Sequence, residues 1–289
     1  MGNESRAGSQ SAACQEVDLM GSRRSSVDLP PEIANPDWSK LLDQALSVEG
    51  SLGNVYRRFH NYSTSNCAFL LMQGCPIEPI ATYQRWQQIG RQVIKGASAF
   101  YVQRPIMVKT GEVDEKTGED RKIKRYKPVK SIFPVSMTEG EPLAEVDLPA
   151  WSSARALAAL AIRQVAFEDF DGNKQGYSIG RDFAVNPAAK YPQKTMFHEI
   201  GHIALGHTVP DQLAEYARHR GVAEVQAEAV AHLSMTELGL MTPEMASVSR
   251  AYLQTWGGSK EVSDWHIRRV FQATDQILEA GREQEQLPG

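Results

Sequence analysis

The chain has 289 residues, 42% of them hydrophobic and 23% charged, with a formal net charge of −4. That balance fits a soluble globular protein of one large or two smaller domains; no apolar run approaches the roughly 18–20 residues of a membrane span, and the polar N-terminus lacks the apolar stretch of a secretory signal. Three cysteines (Cys14, Cys67, Cys75) form no Cys-x-x-Cys pair, and their odd number argues against a disulfide framework, so an intracellular, cytoplasmic protein is expected.

Residues 1–35 are rich in Gly, Ser, Arg and Pro with few apolar positions, and read as a disordered arm. From Asp37 the pattern turns helical, with Trp38, Leu41, Leu42, Ala45 and Leu46 at helical spacing before Gly50. Ser63 is placed to cap a helix running through Leu71 and Met72 to Gly74, and Thr82 to cap another that bears Trp86 and stops at Gly90. The period then drops to two: residues 99–109 and 123–135 read as strands, with the charged segment 110–120 as the loop between them. Residues 36–138 thus form an α+β domain, followed by a linker over 139–150 that holds two prolines and several acids. Residues 151–289 read as mainly helical. They comprise an Ala-rich helix over 153–167, one strand over 177–185, and helices over 193–206, 212–219, 222–238, 243–256 and 262–281.

The strongest chemical signal is His198-Glu199-Ile200-Gly201-His202. Residues four apart lie about 40° from each other around a helix, so both imidazoles face one side, a spacing that suits one Zn²⁺. Glu199 would take the proton of a water that the ion has acidified, as a metallopeptidase requires. A catalytic site needs a third protein ligand. His207 falls one residue short of the long His-x-x-x-His-x-x-Gly-x-x-His pattern, and on a continuing helix it would point away from the pair; it reads as a helix-end or surface histidine. Glu224 is the better candidate. It shares a helix face with Glu228, among Ala227, Val230 and Ala231, where two carboxylates are costly unless something positive meets them. Glu224 on the metal and Glu228 accepting the second N–H of a ligand histidine would satisfy both, the alternative being a solvated acidic stripe. His232 continues that face as a packing or outer residue. The strand over 177–185 would hold extended peptide. Tyr191, His219 and His232 stay open as the group stabilising an oxyanion.

The first half carries a different charge. Residues 51–135 hold 14 Lys and Arg against 6 Asp and Glu, an excess of +8 in an acidic chain. Cations alternate with aromatics there (Arg57, Arg58, Tyr62, Tyr83, Trp86, Arg91, Lys95, Tyr101, Arg104), and Arg121-Lys122-Ile123-Lys124-Arg125-Tyr126-Lys127 adds a concentrated stripe. Phosphates favour Arg and Lys and unpaired bases stack on aromatic faces, so single-stranded nucleic acid is one expected partner. Equally, the aromatics could be core and the charges a solvated face.

Both halves resemble the ArdC-type antirestriction proteins of mobile elements. In the first half the likeness rests on Tyr62-Ser63, Asn66, Phe69-Leu70-Leu71, Thr82, Trp86, Gly90-Arg91-Gln92-Val93 and Lys95-Gly96. In the second it rests on His198-Glu199-Ile200-Gly201-His202, Glu224-x-x-Ala227-Glu228 and Thr236-Glu237-Leu238-Gly239-Leu240, a pattern also similar to the ImmA/IrrE metallopeptidases. The resemblance implies a single-stranded-DNA-binding domain followed by a zincin-like, gluzincin-type peptidase domain in a bacterial host cell. Zinc would sit on His198, His202 and Glu224, with Glu199 catalytic and a peptide or protein as substrate. DNA would meet Arg57, Arg58, Tyr62, Asn66, Trp86, Arg91 and Lys95. Residues 241–289 lie outside the likeness.

Overall fold

The computed structural model describes residues 29–47, 62–113, 118, 120–143, 150–169, 173–209, 220–254 and 262–283. The expected arm through residue 28, the middle of the expected linker and the expected helix over 212–219 lie outside them.

The first half mixes helices and strands. Helices α1 (Pro31–Ala34), α2 (Trp38–Ser47) and α3 (Thr64–Met72) precede β1 (Ile80–Thr82), α4 (Tyr83–Gln88), β2 (Arg91–Val93), the long strands β3 (Phe100–Val113) and β4 (Asp120–Pro134), and β5 (Thr138–Gly140). Two helix starts follow from capping hydroxyls: Ser63 accepts from the Asn66 amide and Thr82 from the Arg85 amide. Each cap satisfies a donor that has no partner within the helix, worth about 1 kcal/mol. Within the expected arm, α1 starts on Pro31 and buries Ile33.

β1, β4 and β3 form an antiparallel sheet in that order, and β2 pairs with β5. Its inner end is packed, with Val102 and Ile132 buried against Tyr62, Cys67, Leu70 and Ile80. Beyond Gln103 the two long strands leave the core as a ribbon whose residues are largely exposed. The ribbon outruns the strands expected from the sequence, reaching Val113 and resuming at Asp120. Ion pairs Lys109–Asp120 and Arg121–Glu112 and the Thr110 hydroxyl, which donates to the Arg121 carbonyl, stitch the strands where a loop was expected.

The second half is mainly helical. It runs α5 (Ser153–Ala159), β6 (Arg163–Gln164), β7 (Gly176–Ile179), β8 (Asp182–Val185), α6 (Pro192–Ala204), α7 (Arg220–Glu237), α8 (Pro243–Gln254) and α9 (Asp264–Gly281). The helix expected over 153–167 stops at Ala159, because Ala161 takes a left-handed φ of 50° and Ile162 turns inward. The strand expected over 177–185 is a hairpin that reverses at Gly180-Arg181, with β8 between β6 and the edge strand β7.

One apolar cluster joins the two halves. Phe197 and Ile200 of α6, Val230 of α7 and Phe271 and Ile277 of α9 pack together with Leu41 and Leu42 of α2 and Phe69 of α3. Asp275 of α9 also accepts from the backbone N–H of Thr64 (2.7 Å) and from its hydroxyl (2.9 Å). Among the described residues no helix is long and apolar enough to cross a membrane.

Candidate functional site

Helix α6 presents His198 and His202 toward α7. The two helices approach closely at Gly201, where a β-carbon would sit 3.3 Å from the Ala227 carbonyl and from Val230. That approach brings Glu224 to the imidazoles. His198 Nε2 lies 3.1 Å from His202 Nε2 and 3.3 Å from Glu224 Oε2, and His202 Nε2 lies 3.6 Å from the same oxygen. A tetrahedral cation with ligands at 2.0–2.1 Å separates its donors by about 3.3 Å. Neighbouring donors of an octahedral ion at that distance lie about 2.9 Å apart. The triangle formed by His198, His202 and Glu224 can therefore hold a metal ion. Two imidazoles and one carboxylate on one side, with further positions open, suit several divalent ions.

Glu228 is buried, which excludes the solvated stripe. Its Oε1 lies 2.6 Å from the Lys194 ammonium and accepts from the Ser249 hydroxyl at 2.5 Å, while Oε2 lies 3.5 Å from His198 Nδ1. Burial alone would raise this carboxyl, but the hydrogen bond from His198 and the charge and hydrogen bond of Lys194 outweigh it and pull it down to about 2. Lys194 and Ser249 were missed at the level of sequence, because each comes from a helix face that only packing turns toward Glu228.

Burial also opposes charge on His198, yet hydrogen bonds to Glu224 and Glu228 and the charge of Glu199 prevail and lift it to about 9 in the metal-free chain. A proton therefore competes with a cation for this imidazole at every pH below that value. The apparent affinity for a divalent cation is expected to fall about tenfold per unit as pH drops from 8 to 6, with about one proton released per ion bound. Calorimetric titration in two buffers of different ionisation enthalpy reads both. A pH-independent affinity over that range would remove His198 as a ligand.

Glu199 is buried beside the pair, and its Oε2 accepts from the Ser178 hydroxyl of β7 at 2.8 Å. Both residues line a cavity of about 890 Å³ together with His198, His202, Glu224, Tyr191 and the rest of β7. That size is within the range of ligand clefts. Of the groups left open for oxyanion stabilisation, Tyr191 lines the cavity and His219 lies outside the described residues. His232 is buried within α7 and outside the cavity lining, where burial pushes it down to about 4.

His207 stands just past the end of α6, as a helix-end histidine would, but the surface alternative is corrected. It is half-buried, its Nδ1 lies 3.0 Å from His202 Nδ1, and its Nε2 lies 3.2 Å from Gln226 Oε1. Burial pushes it down to about 3, so it stays neutral.

The residues expected at a DNA surface divide sharply. Tyr62 and Trp86 are corrected: both are buried, and the Trp86 indole N–H donates to the Phe133 carbonyl at 2.9 Å, so neither offers a face to a base. Asn66 clamps the backbone of Gln103, accepting from its N–H at 2.7 Å and donating to its carbonyl at 3.1 Å. Arg91 donates to the Thr138 hydroxyl (2.8 Å), the Thr138 carbonyl (3.0 Å) and the Gly140 carbonyl (3.0 Å), which fastens β2 to β5. Lys95 is exposed, and Arg57 and Arg58 lie outside the described residues. Further exposed cations stand on the ribbon. There Arg104 is register partner of Lys127 and Lys109 of Lys122, so like charges face each other across the strands. Tyr126 is 52% exposed on the same ribbon, with the Lys124 ammonium 5.5 Å from its ring centre.

Comparison with known proteins gives two findings. The family described as the N-terminal domain of anti-restriction factor ArdC matches residues 35–135. Two solved structures of the antirestriction ArdC protein from the R388 plasmid are also similar, one metal-free (18% identity) and one Mn(II)-bound (17% identity). Each covers 86% of this chain, and 96% and 98% of its own, with a TM-score of 0.49 in both cases. No curated protein matches the chain. The expectation of zinc is corrected here, since the donor triangle singles out no one ion. Residues 35–135 of this chain are thus similar to the N-terminal domain of anti-restriction factor ArdC.

Proposed function

We propose that this protein binds and shields single-stranded DNA in an ArdC-type antirestriction role, and holds one divalent cation on His198, His202 and Glu224. The observation that carries the first part is the ribbon. Like charges placed directly opposite on paired strands destabilise a sheet; in this exposed hairpin Arg104 stands opposite Lys127, and Lys122 opposite a Lys109 that Asp120 already pairs. A polyanion lying along the ribbon relieves that repulsion, and Tyr126 supplies a stacking face. Residues 36–138 then supply the DNA contacts and residues 151–289 the metal centre.

Fluorescence anisotropy with a labelled oligonucleotide tests this reading. The logarithm of the binding constant should fall linearly with the logarithm of salt concentration, by about 0.7 per phosphate contacted on a single strand. An affinity flat between low and moderate salt rules out the phosphate contacts.

A second reading, hydrolysis of a peptide bond, is favoured by the placement of Glu199 beside the cluster in a cavity walled by the edge strand β7. A divalent cation bound there supplies Lewis acidity. Ser178 orients the Glu199 carboxylate, whose free lone pairs take up a proton from water, and β7, at a sheet edge among the described residues, offers its outer side to an extended substrate. Glu199→Gln is expected to keep cation and DNA binding within about threefold while lowering cleavage of unfolded casein by about 10²-fold or more. Mass spectrometry of new termini reads this; intact casein with the unmodified chain and Mn(II) would leave DNA shielding as the whole function.

A further inference from the structure

Helix α6 closes in a tight reversal that carries a third imidazole into the site. The Gly206 N–H donates to the Ile203 carbonyl at 3.0 Å and the His207 N–H to the His202 carbonyl at 2.9 Å, with Gly206 at φ 78°. This is the Schellman pattern, and its left-handed residue is one that glycine adopts without strain. The reversal folds His207 back beneath His202, with ring centres 5.2 Å apart. The Arg269 guanidinium of α9 fixes the turn by donating to the Leu205 carbonyl.

The proton positions follow from the far end of this chain of contacts. Gln226 Nε2 donates to the His266 carbonyl at 2.9 Å, and a carbonyl only accepts, so Gln226 turns its amide oxygen toward His207. That oxygen also only accepts, so His207 carries its proton on Nε2 and offers Nδ1 as an acceptor. Across the 3.0 Å contact His202 must then carry its proton on Nδ1. Its Nε2 lone pair is left facing His198 Nε2 and Glu224 Oε2. A cation needs that tautomer of His202, and a partner on the distal nitrogen fixes ring orientation and ligand basicity.

We infer that His207, delivered by the Gly206 turn and held by Gln226, is a positioning residue that locks His202 in its metal-binding tautomer. The inference rests on the reading that His198, His202 and Glu224 hold a cation. It gives a role to α9, which lies in the region outside the family likeness: the His266 carbonyl and Arg269 anchor the two ends of the arrangement.

Three substitutions separate positioning from packing when MnCl₂ is titrated into the full chain by calorimetry, with thermal melting as the check on folding. Asparagine places its amide oxygen near the position of Nδ1, whereas glutamine places its amide nitrogen near that of Nε2. His207→Asn should therefore retain Mn(II) affinity within about threefold, while His207→Ala and His207→Gln should lose about 10- to 100-fold. A packing role predicts the reverse order, since glutamine is closer in size and keeps the bond to Gln226. Unchanged affinity in His207→Ala or His207→Gln overturns the inference while leaving the metal site intact. If the unmodified chain takes up no Mn(II), the metal reading itself fails. In that case, or if the variants do not fold, ¹⁵N-edited histidine spectra of the metal-free chain decide. Nδ1–H on His202 with Nε2–H on His207 upholds the lock, and Nδ1–H on His207 overturns it.

Discussion

Glu224→Ala is expected to abolish stoichiometric Mn(II) binding, weakening affinity by more than the roughly 10- to 100-fold typical of partners one step removed from a metal. The carboxylate supplies one corner of the donor triangle and its only negative charge, at 3.3 and 3.6 Å from the two imidazole nitrogens. Removing it leaves two neutral ligands four residues apart on one helix, a pair that binds divalent ions far more weakly than three converging donors. Glu224 is only half-buried, so the fold should tolerate the change. Metal content by mass spectrometry, measured with the melting temperature, is the test. An undiminished one-to-one ion in Glu224→Ala would move the third ligand elsewhere and with it the assignment of α7.

The second large effect concerns the ribbon. Replacing Lys122, Lys124, Arg125 and Lys127 together with alanine is expected to weaken single-stranded DNA binding by on the order of 10²- to 10³-fold at 0.1 M salt. Each phosphate contact contributes about 0.7 to the salt slope, hence about fivefold in affinity at that concentration, and four contacts multiply. The slope itself should shrink by about 3. All four side chains are exposed and two face like charges across the strands, so the variant should be as stable as the parent or slightly more stable. The matching control exchanges Arg91, whose contacts are with Thr138 and Gly140: it should disturb the fold without altering the salt slope. Equal DNA affinity in parent and ribbon variant would shift the interface away from β3 and β4, with Lys95 the next candidate.

Short-range chemistry made much of this protein legible from its residues. The histidine pair four residues apart, the hydroxyl caps of Ser63 and Thr82 and the two-residue period of the long strands are all set by backbone geometry within a turn or a ladder. The likeness to ArdC proteins rests on the same kind of local pattern, and in the first half several of the residues that carry it, Asn66, Trp86 and Arg91, turn out to brace the sheet. What composition left open was facing. Aromatics interleaved with cations suit a core under a charged skin as well as a base-stacking surface, and burial assigns Trp86 and Tyr62 to the first while leaving Tyr126 exposed. The environment of the donor triangle was hidden for a related reason. Lys194, Ser249 and Gln226 meet their partners only after α6, α7, α8 and α9 pack together. His207 looked misplaced on a continuing helix and reaches His202 because the chain reverses at Gly206. Periodicity acts over a handful of neighbouring residues, whereas burial and partner choice depend on surfaces brought together from distant parts of the chain.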